Sequence, residues 1–164
     1  MSNDAAQTQS AAVEAETPAD AAAADALVLA AFGPGRFAKT AERLRERAGI
    51  AAGFVIREGD RVVGSVRLWR IVAGEASALF LGPIAVDAAS RRTGLGADLV
   101  AACVDHARGA GVAGVLLVGD PPYFTRFGFQ AAPDVHLPGP VDPRRVLWLP
   151  ITAETASGMT RAAP

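Results

Sequence analysis

The sequence predicts a mixed α/β domain, with a central, mostly antiparallel sheet, one parallel crossover and helices on both faces. Three observations carry this reading. Glu58-Gly59-Asp60 and Ala73-Gly74-Glu75 separate runs rich in β-formers, the pattern of a hairpin meander. After the third run, a polar loop and a helix-period stretch from Leu95 lead to a short apolar run at Val112–Val118. A helix between two such strands requires a parallel crossover. A last apolar run, Val146–Thr152, supplies a closing antiparallel strand.

The elements follow in order. Residues 1–10 are polar and alanine-rich and read as a disordered tail, and a short strand fits Ala12–Glu16. Thr17-Pro18-Ala19-Asp20 is a helix start: Thr17 as N-cap, Pro18 in the first turn, and an acid at the third position, where it favours the positive helix end. That helix runs to Phe32, and Gly33-Pro34-Gly35 stops it. A second, charged helix covers Arg36–Arg47, with Phe37, Ala41 and Leu44 on one side. The meander strands are Gly53–Arg57, Arg61–Val72 and Ala76–Val86. The third contains Gly82-Pro83, and because proline donates no ladder hydrogen bond, a bulge is expected there. The helix after the loop spans Gly94–Ala110 and ends at Gly111. Beyond the crossover strand, Gly119-Asp120-Pro121-Pro122 starts a short helix closed by Gly128, and a further strand fits Phe129–Leu137. The domain therefore spans residues 11–153, and residues 154–164 read as a loose tail.

At 164 residues one domain buries roughly 70% of the surface of its unfolded chain. The formal net charge of −1 argues against nucleic acid or a membrane surface as partner. Of the 16 basic residues only Lys39 is lysine. The single cysteine, Cys103, falls in an apolar helical pattern and has no partner for an internal disulfide, which fits a reducing cytoplasm. Met1–Glu16 lacks the basic and apolar regions of a secretory signal, and no run reaches transmembrane length. His106 and His136 show no metal-ligand spacing, so no metal is expected.

The loop before the long helix carries the chemistry. Gly94 and Gly96 remove side chains where the helix begins, leaving the unpaired N–H groups of its first turn open to an anion, and Arg91 and Arg92 add charge. A phosphate or pyrophosphate site follows. A dinucleotide-binding turn competes for this reading, with Asp120 placed like a ribose-binding acid. Against it, Leu99 occupies the third-glycine position, the loop is too long, and hairpins join the preceding strands.

Arg91-Arg92-Thr93-Gly94-Leu95-Gly96, after a strand ending Ile84-Ala85-Val86, resembles motif A of the GNAT superfamily of N-acetyltransferases. Gly119–Phe129 (GDPPYFTRFGF) resembles the segment that closes the acetyl-CoA site in a bacterial branch of small members. The resemblance spans Thr17 to Thr152. It implies a GNAT-like sheet in which the strand holding Gly82-Pro83 and the strand from Val112 diverge in a V, and an acetyl-CoA-dependent N-acyltransferase without metal. Cofactor contacts then fall on Ile84, Ala85, Val86, Arg91, Arg92, Thr93, Gly94, Leu95, Gly96 and Ala97. Pantetheine lies along Ile84 and Val86, and the thioester carbonyl meets an N–H of that strand. The acceptor implied is a small-molecule amine or a protein amine; a homodimer is left open.

The family's proton-donating tyrosine stands four residues before the glycine of the Gly-Phe pair. Here that position is Phe124, and Tyr123 lies one residue earlier. Tyr123 is the candidate acid, with solvent as the alternative donor. Asp120 is a candidate base, with helix capping as its alternative role. On the acceptor side, Arg36 and Lys39 either meet an anionic substrate group or form a solvated face. On the meander, Arg67 and Trp69 share one strand face and Arg70 takes the other, and the acceptor cleft lies on one of the two. Without the tyrosine at 124, an acyl-CoA-binding sensor or interaction module that does not turn over is the rival reading.

Overall fold

The computed structural model describes residues 12–33, 35, 39–90 and 92–164. Strand β1 (Val13–Ala15) leads to a 3-10 turn at Pro18–Asp20 and helix α1 (Ala21–Phe32). Next come α2 (Thr40–Arg45) and the meander β2 (Ile50–Glu58), β3 (Arg61–Ala73) and β4 (Ala76–Val86). Helix α3 (Leu95–Ala110), β5 (Gly114–Val118), the short α4 (Pro121–Phe124), β6 (Gln130–Ala131) and β7 (Val135–His136) follow. Strands β8 (Val146–Pro150) and β9 (Gly158–Ala162) complete the chain.

The sheet runs β1-β2-β3-β4-β5-β8-β6. β4 and β5 are parallel across the α3 crossover, and the other neighbours along this path are antiparallel. Its two faces carry separate cores, as the side-chain alternation of a strand requires. Leu79, Leu81, Val115, Leu117, Leu147 and Leu149 pack against Leu95, Leu99 and Cys103 of α3. The intervening Phe80, Leu116 and Trp148 pack on the opposite face with Leu44 of α2. Helices thus cover both faces, and burial pushes the Cys103 thiol pKa upward.

The expected helix start at Thr17 is present. Thr17 N–H donates to Asp20 Oδ2 at 2.8 Å, and Asp20 N–H donates to the Thr17 carbonyl at 2.9 Å. Arg57 Nη2 reaches Asp20 at 2.7 Å, tying the entry of α1 to β2. The Thr17 N–H first, and then Arg57, hold the Asp20 carboxyl below the usual carboxylate range.

Residues 154–164 correct the sequence expectation of a loose tail. β9 pairs antiparallel with β3 (Ile71↔Ala162, Ala73↔Thr160), where β3 has run past the start of β2, whose pairing with β3 begins at Ile50↔Trp69. Buried Thr160 donates its hydroxyl to the His136 carbonyl at 3.1 Å. β9 draws its order from an open edge of β3 that is distant in sequence. The expected charged helix at 36–47 is shorter, Thr40–Arg45, and its residues 36–38 lie outside the described residues.

Candidate active site

The site begins at the bulge in β4. Val66 pairs with Ile84 and Leu68 with Leu81, so Gly82 and Pro83 together oppose the single residue Arg67. This is the bulge expected from Gly82-Pro83. The Trp69 indole N–H donates to the Gly82 carbonyl and fixes the bulge from the neighbouring strand.

Beside the bulge the sheet opens. β4 and β5 pair only at Leu79↔Val115 and Phe80↔Leu116. Further on, β4 follows β3 to Val86 while β5 follows β8 to Val118, so the strands splay in the expected V. A cavity of about 390 Å³ occupies the opening. Phe80, Leu81, Pro83, Ile84, Leu117 and Val118 form its apolar walls, Asp120 and Phe124 follow from the end of β5, and Lys39 and Arg45 reach in from the α2 side.

The first residues after β4 are held by side-chain hydrogen bonds, one local and one to the end of β2. Ala89 N–H donates to Asp87 Oδ1 at 2.8 Å, and Ser90 Oγ donates to Glu58 Oε2 at 3.1 Å. Gly94 caps α3 in a left-handed conformation (φ 78°) that a side chain disfavours, and no side chain caps the first turn. Among the described residues nothing accepts from the N–H groups of Leu95, Gly96 and Ala97, as an anion cradle requires. Exposed Arg92 and Thr93 flank them, and Arg92 Nη1 touches the Arg57 carbonyl at 3.4 Å. Arg91 and Arg36, both expected to contribute, lie outside the described residues.

At the other candidates the structure adds detail that the sequence lacks. The Asp120 side chain does not cap α4; its backbone carbonyl accepts from the N–H groups of Tyr123 and Phe124, both at 3.1 Å. The exposed carboxylate lines the cavity instead. Phe124 stands on the cavity wall and packs against Gly119. The Tyr123 hydroxyl, by contrast, faces Gly96, where a Cβ on that glycine would stand 3.3 Å from it. Arg126 lies over the Tyr123 ring, 4.1 Å from its centroid.

Arg67 and Trp69 share one face, as strand alternation predicts. They line a small cavity of about 40 Å³ behind Pro83, together with Asp25 and Ser65. Arg67 is bound there by Glu16 at 2.8 Å and Asp25 at 3.1 Å, and the Glu16 contact most strongly holds its guanidinium pKa above the usual value. Two cavity-lining cations escaped the sequence reading. Arg45 follows Ala41 by one helical turn and flanks the apolar stripe of α2, a signal that was available. Arg145, whose Nε donates to the Gly119 carbonyl at 3.3 Å, gives no local signal. Among the described residues no group of three or more His, Cys, Asp or Glu side chains comes together to hold a metal.

Residues 21–129 match the model of the Acetyltransferase (GNAT) family. The chain belongs to this family. The GNAT match covers α1 through the segment after α4, and so includes the bulge, the glycine loop and both walls of the V. An uncharacterized N-acetyltransferase of Escherichia coli, YhbS, is 34% identical over 123 residues, covering 73% of this chain and 74% of the relative. The crystal structure of YhbS in complex with CoA superposes with a TM-score of 0.78 at 28% identity, covering 93% of this chain and 89% of that one. A GNAT family acetyltransferase from Brucella melitensis in complex with acetyl-CoA gives 0.63 at 28% identity, covering 84% and 94%.

Proposed function

We propose that the protein is an acetyl-CoA-dependent N-acyltransferase that moves the acetyl group to a primary amine by direct attack on the thioester. The observation that carries this reading is the V between β4 and β5. An open strand edge leads from the bulge at Gly82-Pro83 to Val86, and the chain continues from there to the uncapped N-terminus of α3. The CoA and acetyl-CoA complexes of the similar YhbS and Brucella proteins support the same donor here.

In this reading the N–H groups of Leu95, Gly96 and Ala97 hold the diphosphate, with Arg91, Arg92 and Thr93 around them. The edge at Ile84, Ala85 and Val86 receives pantetheine as an added strand, and a β4 N–H at the bulge stabilises the oxyanion. The amine enters from the α2 side. Its nitrogen bonds to the thioester carbon, the carbon–sulfur bond breaks, and the thiolate leaves. Asp120 accepts the proton lost by the nitrogen. Tyr123, the donor expected from sequence, presents its hydroxyl to Gly96, so we assign protonation of the thiolate to solvent and Tyr123 to the phosphate end.

Calorimetry with acetyl-CoA tests the donor, and no binding at millimolar ligand would overturn it. Thiol release with a panel of amines then tests transfer. Phe124 on the cavity wall favours one second reading, an acyl-CoA sensor, for which acetyl-CoA binds and no amine releases thiol.

A further inference from the structure

We infer that the acceptor is an amine that also carries an oxyanion, a carboxylate or a phosphate, within a few bonds of its nitrogen. This rests on the donor reading above and names the other substrate of the same cavity. Among the described residues the charged side chains on the cavity wall are Lys39, Arg45 and Arg145, against one carboxylate, Asp120. Arg45 is fixed in place: its side chain is 10% exposed, Nη2 meets Glu42 at 3.1 Å, and its guanidinium lies over the Phe80 ring. It also stands beside the bulge, with Nη1 3.6 Å from where a Cβ on Gly82 would be. Even with Glu42 assigned to Arg45 and Asp120 to Arg145, Lys39 remains, and it makes no ion pair among the described residues.

Such a wall has two chemical consequences. It favours the neutral form of a nearby amine, which is the form that attacks a thioester. It also repels an acceptor that brings a second positive charge, such as a diamine or the side chain of a lysine-rich peptide, while an oxyanion is drawn to Lys39 and the arginines. The remaining wall is apolar, and Phe32, 47% exposed, is part of the lining. That arrangement fits a small acceptor with an apolar body, anchored by its anion, and amine directed to the bulge.

The test uses matched pairs: L-phenylalanine with L-phenylalaninamide, phosphoethanolamine with ethanolamine, and putrescine as the dicationic control. Each is measured by thiol release with acetyl-CoA and by calorimetric binding to the CoA-loaded protein, so that slow turnover does not hide a preference. In at least one pair the anionic member should be favoured by about tenfold, and the pair that shows it distinguishes carboxylate from phosphate. Lys39→Ala and Arg145→Ala, both at exposed residues, should each erase most of that preference and leave the acetyl-CoA affinity within about twofold. Acetyl-CoA binding combined with equal or better use of the neutral or dicationic amines in both readouts overturns the inference alone. Failure of acetyl-CoA to bind overturns the donor reading, and this inference with it.

Discussion

Around the start of α3, the groups offered to a ligand belong to the backbone: the N–H groups of the first turn after Gly94, which no side chain caps among the described residues, and a strand edge from Leu81 to Val86 that β5 leaves unpaired. Around the cavity itself they are side chains from separate elements, Lys39 just before α2 and Arg45 at its end, Asp120 after β5, and Arg145 before β8. A site made of backbone tolerates little change where the chain must come close, yet accepts most residues elsewhere. A site made of side chains can be respecified one residue at a time. In the proposed reading the donor end thus has the character of a fixed module, and the acceptor end is where single residues can change without disturbing it.

The largest effect expected is at the donor end. Gly96→Val places a branched side chain among the open N–H groups and against the Tyr123 hydroxyl, 3.3 Å from the new Cβ. Acetyl-CoA affinity should fall by more than about 100-fold by calorimetry, with circular dichroism unchanged, because the phosphate loses its close approach to the backbone. Unchanged affinity would break the comparison, since the glycine loop would then not be the phosphate site.

Trp69 tests the boundary between the two ends. Trp69→Phe keeps the aromatic packing and removes the donor to the Gly82 carbonyl. We expect kcat to drop by about tenfold while acetyl-CoA affinity stays within about threefold, the effect of one lost hydrogen bond felt where the bulge presents the thioester. An equal loss in both would place the bulge within the binding module.

Tyr123→Phe carries a smaller effect. With its hydroxyl at Gly96, the loss should weaken acetyl-CoA binding by about threefold to fivefold and leave the pH profile of kcat in place. A large drop in kcat with an altered alkaline limb would return Tyr123 to the role of proton donor.

The same division explains what was legible in the sequence. Backbone devices have local signatures: Thr17-Pro18-Ala19-Asp20 for a helix start, Gly82-Pro83 for a bulge, Gly94 and Gly96 for an uncapped helix. Each forms where it was expected. Devices that depend on distant partners were not legible. β9 orders on β3 nearly ninety residues away in the chain, through pairs such as Val72↔Arg161. Arg67 looks like a substrate contact until Glu16 and Asp25 are seen to bind it, and Arg145 enters the cavity only because β8 lies beside β5. The acceptor end consists mostly of devices of this second kind.

The finest test asks whether the two ends are independent, and Asp20 is the residue to use. Its carboxylate holds the first turn before α1 and binds Arg57, whose own carbonyl touches Arg92 of the glycine loop. Because the folded state depresses the Asp20 pKa, its stabilisation is complete above the unfolded value, about pH 4, and is lost as pH falls through the folded value. Asp20→Asn should therefore lower the melting temperature at neutral pH, and the gap from the parent should close in acid. If the ends are independent, the variant changes the acceptor KM, through a looser α1, and leaves acetyl-CoA affinity alone. A parallel loss of acetyl-CoA affinity would mean that Arg57 couples the start of α1 to Arg92, and that the donor module extends across β2 into the N-terminal elements.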